Sequence, residues 1–512
     1  MAPGSRCEPS CARSSSLRAD RPDVGERAGT FVSATGPGQA GAHPYGVAVV
    51  TELGPDGGPD ADLVVLGGGS GGYAAALRAS ELGMRVVLVE RDKVGGTCLH
   101  RGCIPTKALL HTAEVAEQVR EAGKVGVQAA FEAVDMKAAN AYKDGVVTRL
   151  FKGLTGLVNS RGIEVVAGEG RLVSPTALQV GDRRIEGRHV LLATGSEAKS
   201  LPGLDVDHER VITSDDALRM DRIPASVVII GAGAIGCEFA SVWKAFGAEV
   251  TLVEALPHLV PMEDESSSKL LERAFRRRGI GFELGARLAG VRVTDTGATV
   301  TLETGKTIDA EVVLVAVGRA PVSAGLGYEA QGVETDRGFV TVDELCRTNV
   351  ATISALGDLV PTPQLAHVGF GEGILVAERL ASLNPAPIDY DRVPQVTYSH
   401  PEVASVGITA AEAKRRGHDV ATATYDLAGN GKALILRTAG AVTVVADREG
   451  PVLGVHMVGE RVSELAAEAQ LITNWEALPG EVAQLIHPHP TMSEAVGEAH
   501  LALAGKPLHS HG

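Results

Sequence analysis

Apolar runs and glycine-rich turns alternate along the chain from about residue 62, which is the pattern of an α/β protein. An apolar strand is predicted at 62–66, followed by Gly67-Gly-Gly69-Ser-Gly-Gly72 and by a helical run from Tyr73 to Gly83. The next strand ends on Glu90. Between a strand and a helix, this glycine spacing predicts a dinucleotide-binding turn, because the glycines let the backbone approach a pyrophosphate at the helix N-terminus. Glu90 would accept a hydrogen bond from a ribose hydroxyl.

The same pattern occurs a second time. A strand at 227–230 leads into Gly231-Ala-Gly233-Ala-Ile-Gly236, a helix that ends at Gly247, and a strand that ends on Glu254. Gly231, Gly247 and Glu254 each follow their counterparts in the first unit by 164 residues. A repeat in register over a whole unit predicts two dinucleotide-binding folds.

The pattern changes from about residue 391 onward. Segments at 395–398, 441–445 and 452–456 alternate or run apolar like the strands of a sheet, and helices are predicted at 463–474 and 479–486. This part contains no nucleotide motif, so an α+β domain of a different kind is predicted.

Residues 1–60 are rich in Gly, Pro, Ser, Ala and Arg and have no periodicity, which predicts a disordered extension. Its two cysteines, Cys7 and Cys11, are expected to be unpaired.

Composition narrows the functional classes. A length of 512 residues suggests about three domains, and a net charge of −15 argues against a nucleic-acid partner. Apolar runs of membrane-spanning length are absent from the sequence. Six cysteines in so long a chain do not form a disulfide scaffold, which fits a reducing compartment and predicts the cytoplasm.

The stretch from Gly95 to Lys107 carries Cys98 and Cys103, with four residues between them. A zinc site would need a second cysteine pair, and the remaining cysteines do not supply one. The spacing leaves two interpretations open, namely two buried structural thiols or a redox-active pair. A helix is predicted to start here with Pro105 in its first turn, so a disulfide between the two cysteines would need an irregular first turn.

This stretch resembles the redox-active motif of the flavin-dependent disulfide reductases, the pyridine nucleotide-disulfide oxidoreductase family. Within the family it is most similar to the dihydrolipoamide dehydrogenase group, and the resemblance runs from about residue 62 to the C-terminus. It implies a Cys98–Cys103 disulfide, FAD at the first nucleotide fold and NAD at the second. Glu254 favours NAD over NADP, because a 2′-phosphate would meet a carboxylate, and the following residues 255–258 contain no arginine.

The resemblance also implies binding positions beyond the two glycine turns. For FAD these are Gly67, Gly69, Gly72, Glu90, Gly96, Thr97, Lys107, Gly170, Thr194, Gly195, Ser196, Asp358, Gln364, Leu365, Ala366 and His367. For NAD they are Gly231, Gly233, Ile235, Gly236, Glu238, Glu254 and Gly318. The segments Ala193–Ser196 and Val317–Pro321 resemble the two crossings between the nucleotide-binding domains.

A second reactive stretch, residues 487–494, resembles the acid–base motif of the family. By this resemblance His489 is the base and Glu494 orients it, while Pro488 is a small departure from the usual pattern. Lys107 is implied to lie beside the flavin and to pair with Glu238. The histidines His500, His509 and His511 are expected to be solvated, and no metal site is expected.

The fold class predicted from these features is α/β, with two Rossmann-like domains for FAD and NAD and an α+β dimerisation domain. The expected boundaries are FAD-binding at 61–197 and 326–390, NAD-binding at 198–325, and an interface domain at 391–512. The resemblance implies a homodimer that reoxidises protein-bound dihydrolipoamide with NAD⁺. Its partners would be the lipoyl domains and E2 core of 2-oxo acid dehydrogenase complexes. Another flavin-dependent disulfide or quinone reductase, or a flavin-binding subunit without turnover, are the alternatives.

Overall fold

The computed structural model of the chain describes residues 58–509. The predictions for residues 1–57, including Cys7 and Cys11, lie outside the described residues, as does His511. Over the described range, helices that combine the length and apolar character needed to cross a membrane are absent.

Residues 61–198 form the first nucleotide-binding unit. Its strands are β1 (Ala61–Leu66), β2 (Val86–Glu90), β3 (Glu164–Ala167), β4 (Gly170–Ser174), β5 (Ala177–Val180), β6 (Arg183–Leu192) and β7 (Ser196–Ala198). Its helices are α1 (Ser70–Glu81), α2 (Gly96–Arg101), α3 (Cys103–Glu121) and α4 (Met136–Ser160). Strands β3, β2, β1 and β6 are parallel neighbours, and β6 continues into an antiparallel pairing with β5 and β4.

The apolar strand β1 is buried on both faces of this sheet. Val64 and Leu66 belong to the core on one face, and Leu63 and Val65 belong to the core on the other. A parallel sheet covered on both sides requires continuous apolar strands of this kind. The apolar run in the sequence therefore places the glycine turn at the carboxyl end of β1.

Residues 211–321 form the second unit. Its strands are β8 (Val211–Ile212), β9 (Ser226–Ile230), β10 (Glu249–Val253), β11 (Gly281–Glu283), β12 (Leu288–Thr294), β13 (Gly297–Leu302), β14 (Thr307–Ala310), β15 (Val312–Val315) and β16 (Arg319–Pro321). Its helices are α5 (Ser214–Ala217), α6 (Ala234–Phe246) and α7 (Glu265–Arg278). A parallel sheet in the order β11-β10-β9-β15-β8 and an antiparallel sheet β12-β13-β14 make up the unit. The sequence repeat is thus also a structural repeat.

The chain then returns to the first unit through β17 (Thr335–Asp336), β18 (Phe339–Val340), β19 (Ile353–Ala355) and α8 (Ala366–Leu380). Strand β19 pairs with β6, and β7 pairs antiparallel with β16, so the two crossings run side by side. Glycines let α8 pack closely on α1, since a Cβ on Gly373 would come within 2.5 Å of the carbonyl oxygen of Gly71. This packing places the start of α8 beside the first glycine turn.

The C-terminal part is an antiparallel sheet covered by helices. Its strands are β20 (Gln395–Thr397), β21 (Glu402–Gly407), β22 (Val420–Asp426), β23 (Ala441–Asp447) and β24 (Val452–Gly459). Its helices are α9 (Ala410–Arg415), α10 (Gly431–Leu436), α11 (Val462–Asn474), α12 (Pro479–Val482) and α13 (Glu494–Leu503). The order β20-β21-β24-β23-β22 confirms the predicted change of architecture.

The predicted helix at 479–486 is wrong in length, because α12 ends at Val482. Leu485 and Ile486 are 59% and 98% exposed, so they bury little apolar surface that would stabilise a further turn of the helix. Pro488 also disfavours helical backbone at the residue before it.

Candidate active site

The two cysteines lie on either side of a break between two helices. Cys98 is in α2 and Cys103 is the first residue of α3, and Gly102 between the helices has φ −142° and ψ −112°. The irregular turn that a pair at this spacing requires is therefore present. Both cysteines are half-buried free thiols, and they lie close enough to interact across this break.

This contact makes the two thiols unequal. The hydrogen bond from Cys98, with the nearby cation of Lys107, lowers the pKa of Cys103 to about 7 against the opposing effect of burial. The same hydrogen bond and burial raise the pKa of Cys98. Cys103 is thus the member of the pair that ionises first, and thiolates rather than thiols take part in exchange.

Lys107 lies one turn after Cys103 and forms an ion pair with Glu238 of α6. Its Nζ is 2.8 and 2.9 Å from the two carboxylate oxygens. The backbone N–H of Tyr398 also donates to Glu238 at 3.0 Å, and Lys107 Nζ lies 4.6 Å from the centre of the Tyr398 ring. Burial opposes the charge of Lys107, but the Glu238 carboxylate raises its pKa above the ordinary value. The charged lysine is therefore held in place by side chains from two other regions of the chain.

The cysteines and Lys107 open into a cavity of about 320 Å³ that also reaches the first glycine turn. Fourteen of the sixteen residues expected to bind FAD line it, namely Gly67, Gly69, Glu90, Gly96, Thr97, Lys107, Gly170, Thr194, Gly195, Ser196, Asp358, Gln364, Leu365 and Ala366. Gly72 and His367 do not line it. A Cβ on Gly72 would lie 1.9 Å from the carbonyl oxygen of Gly67, and His367 bonds the carbonyl oxygen of Pro394 at 2.8 Å.

The first glycine turn fits a dinucleotide. Gly67 has φ +104°, and a Cβ added to Gly69 would point into open space, with no atom within 4 Å. Glu90 accepts a hydrogen bond from the N–H of Gly68 at 2.7 Å, which holds its carboxylate against the turn. Gly96 packs so closely on the turn that a Cβ would lie 2.6 Å from the Cα of Gly69. The cysteine segment and the nucleotide turn are thus in direct contact.

A polar network closes the other side of this cavity. Ser196 donates to Asp358 at 2.5 Å, and Arg319 donates to the side-chain oxygen of Ser196 at 2.7 Å. Behind Asp358, the fully buried Glu372 accepts from the N–H of Gly357 at 2.6 Å. These contacts fix the position of Asp358 at the cavity wall.

The second glycine turn repeats the internal bonding of the first. Glu254 accepts from the N–H of Ala232 at 2.7 Å, as Glu90 does from Gly68, and it also accepts from the N–H of Leu256 at 2.9 Å. Of the expected NAD-binding residues, Ile235 and Glu238 line the same cavity as the cysteines. The others, Gly231, Gly233, Gly236, Glu254 and Gly318, lie away from it. The second turn therefore approaches the first cavity through the start of α6.

His489 and Glu494 form a hydrogen-bonded pair in the C-terminal part. The distance from Nδ1 of His489 to the Glu494 carboxylate is 2.7 Å, and the N–H of Thr491 donates to the other carboxylate oxygen at 2.8 Å. Although burial opposes it, these bonds hold the pKa of Glu494 below its ordinary value. The His489 side chain is 77% exposed, and neither residue lines the cysteine cavity. Within one chain, the structure does not bring the expected base to the cysteines.

The expectation of solvated histidines is wrong for His500. Its side chain is completely buried in α13, where its Nδ1 bonds the carbonyl oxygen of Val496 at 2.7 Å. His500 lies on the buried, apolar face of α13, which packs against the C-terminal core. His509 is exposed and bonds Glu498. Clusters of three or more potential metal ligands are absent from residues 58–509.

Comparison with known proteins agrees with this geometry. Residues 61–373 match the family model described as pyridine nucleotide-disulphide oxidoreductase, and residues 393–500 match the dimerisation domain of the same family. The chain belongs to the pyridine nucleotide-disulphide oxidoreductase family. The family depends on FAD and uses NAD(H) as a substrate, so the predicted fold class and cofactors are confirmed.

Individual relatives extend over nearly the whole chain. It is 42% identical to the dihydrolipoyl dehydrogenase of Bacillus subtilis over 468 residues, which cover 88% of this chain and 99% of that protein. It is 38% identical to the mitochondrial dihydrolipoyl dehydrogenase of Pisum sativum, with 88% and 92% covered. The crystal structure of LpdA from Mycobacterium tuberculosis has a TM-score of 0.80 at 28% identity, with 86% and 99% covered.

Sequence analysis missed several residues of the site. Tyr398 contacts the Lys107–Glu238 pair, and Arg319 and Glu372 hold Asp358 in place. Arg319 stands inside a segment singled out as a crossing, so its charge next to Gly318 was an available signal. No comparable signal marks Tyr398. It contacts Lys107 of α3 and Glu238 of α6, which are distant from it in sequence and meet it only in the folded chain.

Proposed function

We propose that this protein is a dihydrolipoyl dehydrogenase, which oxidises dihydrolipoamide to lipoamide and reduces NAD⁺ to NADH. The observation that carries this proposal is the unequal thiol pair Cys98–Cys103, which lies in the cavity of the first nucleotide turn beside the Lys107–Glu238 ion pair. The names of the Bacillus and Pisum relatives support the same activity.

In the proposed mechanism, the His489–Glu494 pair transfers protons and the two cysteines carry out the thiol–disulfide exchange. His489, oriented by Glu494, removes a proton from one thiol of the substrate. In the oxidised enzyme, where Cys98 and Cys103 form the disulfide that the family resemblance implies, the resulting thiolate attacks the sulfur of Cys98 and breaks that disulfide, which leaves Cys103 as a thiolate. The second substrate thiol, once deprotonated, attacks the sulfur of the substrate that is bound to Cys98, so that oxidised substrate leaves and Cys98 regains a proton.

Cys103 is suited to carry the negative charge, because Cys98 donates to it and the cation of Lys107 lies near. Glu238 and Tyr398 keep Lys107 in position. FAD, when bound along the residues that line the cavity, supplies the two-electron acceptor between this thiol pair and NAD⁺. The residues fit it, because Gly69 leaves the open space that a pyrophosphate contact with the backbone requires, while Gly67 and Gly96 let the segments around the turn pack closely.

Glu254 favours NAD⁺ over NADP⁺. Its carboxylate is fixed by two backbone N–H groups, and each oxygen keeps a lone pair for a ribose hydroxyl. The single imidazole in the next four residues, His258, lies 3.9 and 3.8 Å from Glu265 and Glu272, so it is already engaged by carboxylates. A 2′-phosphate would meet negative charge at this place.

The dimerisation domain supports a homodimer. We extend this to a dimer in which His489 of one chain serves the cysteines of the other, and to lipoyl domains and the E2 core of a 2-oxo acid dehydrogenase complex as partners. The domain boundaries given above remain our proposal, and the pairing of β19 with β6 supports a first domain that is split in sequence. Cytoplasmic location is likewise proposed and is testable by cell fractionation.

The experiment is a steady-state assay of the FAD-loaded protein with dihydrolipoamide and NAD⁺, in which NADH formation is followed by absorbance. We expect turnover with NAD⁺ and a much lower rate with NADP⁺. His489→Gln should lower the rate about 10²–10⁴-fold, the range for a lost general base. His418→Gln, which alters a His–Asp pair elsewhere in the same domain, is the control and should retain the rate. Absence of NADH formation by the unaltered protein would refute the proposal.

A further inference from the structure

His487 lies two residues before His489, and the proposed mechanism gives it no role. From residue 484 to residue 490 every residue is exposed except His487. Its Nε2 is 2.7 Å from the carboxylate of Glu468 on α11, and only 12% of its side chain is exposed. Within one chain, His487 is therefore the anchor of an otherwise exposed loop.

Helix α13 leaves space for the same ring. A Cβ on Gly497 would lie 2.6 Å from Nδ1 and 2.8 Å from Cε1 of His487, so no other residue type fits there without moving the ring. Gly497 is one helical turn after Glu494, the partner of His489. The ring of His487 thus occupies the junction of α11 with the helix that begins at Glu494.

The charges around His487 favour its protonated form. The hydrogen bond that His487 donates to Glu468 raises the pKa of His487 above its ordinary value, burial opposes this, and the charge of Glu494 adds to it. His500, buried in α13, is the other titratable group facing the pair, and its pKa is lowered by burial. The positive charge of a protonated His487 is therefore stabilised by two carboxylates, Glu468 on α11 and Glu494 on α13.

We propose that His487 and Glu468 are positioning residues that fix the loop carrying His489, so that its imidazole stays on Glu494 and faces the substrate dithiol. This inference rests on the proposed function of His489 as the base. His487 and Glu468 touch no reacting atom. They act through the loop, which His487 holds at the N-terminal side of His489, while the buried Met492 holds it at the C-terminal side.

The experiment measures the two half-reactions of the FAD-loaded dimer separately, by rapid mixing with dihydrolipoamide or with NADH. In His487→Ala and Glu468→Gln, flavin reduction by the dithiol should slow about 10- to 100-fold, since small displacements of a catalytic group have effects of this size. Reduction by NADH does not use the loop and should keep its rate. A purely structural defect would slow both.

Gly497→Ala tests the same contact without altering either partner. In the unaltered background it should displace the ring and slow the dithiol half-reaction, whereas in the His487→Ala background it should cause no further loss. Gly145→Ala, on α4 with no atom within 4 Å of the added Cβ, is the matched control. If His487→Ala does not assemble, Glu468→Gln and Gly497→Ala carry the test.

Unaltered dithiol rates in Glu468→Gln and Gly497→Ala, or equal losses in both half-reactions, would overturn the positioning role. If dihydrolipoamide fails to reduce the unaltered protein, the proposed function fails, and the same comparison with dithiothreitol still decides the role of His487. If His489→Gln reacts normally with both dithiols, the base assignment and this inference fall together.

Discussion

At the scale of single residues, the chemistry depends on the inequality of two thiols. Cys98 and Cys103 are both half-buried, and burial alone would keep both protonated. The hydrogen bond from Cys98 and the nearby cation of Lys107 concentrate the negative charge on Cys103, whose pKa falls to about 7. The interaction between the two thiols thereby determines which sulfur is charged at neutral pH, and Lys107 adds to the stability of the thiolate.

We predict a pH-dependent signature of this thiolate. In the FAD-loaded protein reduced by one equivalent of dithiol, charge transfer from the Cys103 thiolate to the flavin should give a long-wavelength absorbance band. A depressed thiol pKa means that the band is weak below pH 7 and grows as pH rises through about 7. Cys103→Ser should abolish the band.

Lys107→Gln should shift the midpoint of that titration upward, because it removes the cation that stabilises the thiolate. Lys152→Gln, an exposed lysine of α4, should leave the midpoint unchanged. A band that persists in Cys103→Ser would contradict the assignment of the thiolate.

At the scale of elements, two glycine turns and the break between α2 and α3 place the reactive groups. The contact between Gly96 and Gly69 joins the cysteine segment to the first nucleotide turn. Gly96 also has φ +57°, a backbone conformation that side chains rarely adopt. The close approach of the cysteines to the cofactor cavity thus depends on a missing side chain.

Gly96→Ala should therefore weaken FAD binding. The added Cβ would lie 2.6 Å from backbone, and strain at such a position costs about 1–3 kcal/mol, which corresponds to about a 5- to 150-fold rise in the dissociation constant. Fluorescence titration of the apoprotein with FAD measures this constant. Gly145→Ala serves as control, and an unchanged constant in Gly96→Ala would show that the contact is not needed for binding.

Local patterns in the sequence were sufficient to predict the elements around the cofactors. The glycine turns, the strands before them and the terminal glutamates are set within about 25 residues, so spacing alone locates them. The short α12, the burial of His500 and the contacts of Tyr398 were not predicted. Each depends on packing between regions that are distant in sequence. The periodicity of apolar residues within one segment therefore does not predict it.

At the scale of the whole molecule, one chain keeps the proposed base apart from the cysteine cavity. Within residues 58–509, no histidine lines the cysteine cavity, while His489 is 77% exposed in a domain without a nucleotide turn. In the same domain, Trp475, Leu485 and Ile486 are exposed apolar side chains of the kind that mark an interface. A C2 dimer would cover such a surface and repeat any contact twice. The cysteines of one chain and His489 of the other would then meet at the dimer interface.

The decisive prediction concerns two inactive variants, Cys98→Ser and His489→Gln. Mixed under conditions that allow subunit exchange, they form dimers in which one site has both defects and the other has neither. Random exchange makes half of the dimers mixed, and each has one intact site, so activity should return to about a quarter of the unaltered value. Subunit exchange is monitored separately by native mass spectrometry of a tagged chain. If exchange is complete and the mixture remains inactive, Cys98 and His489 act within the same chain, and the shared site is wrong.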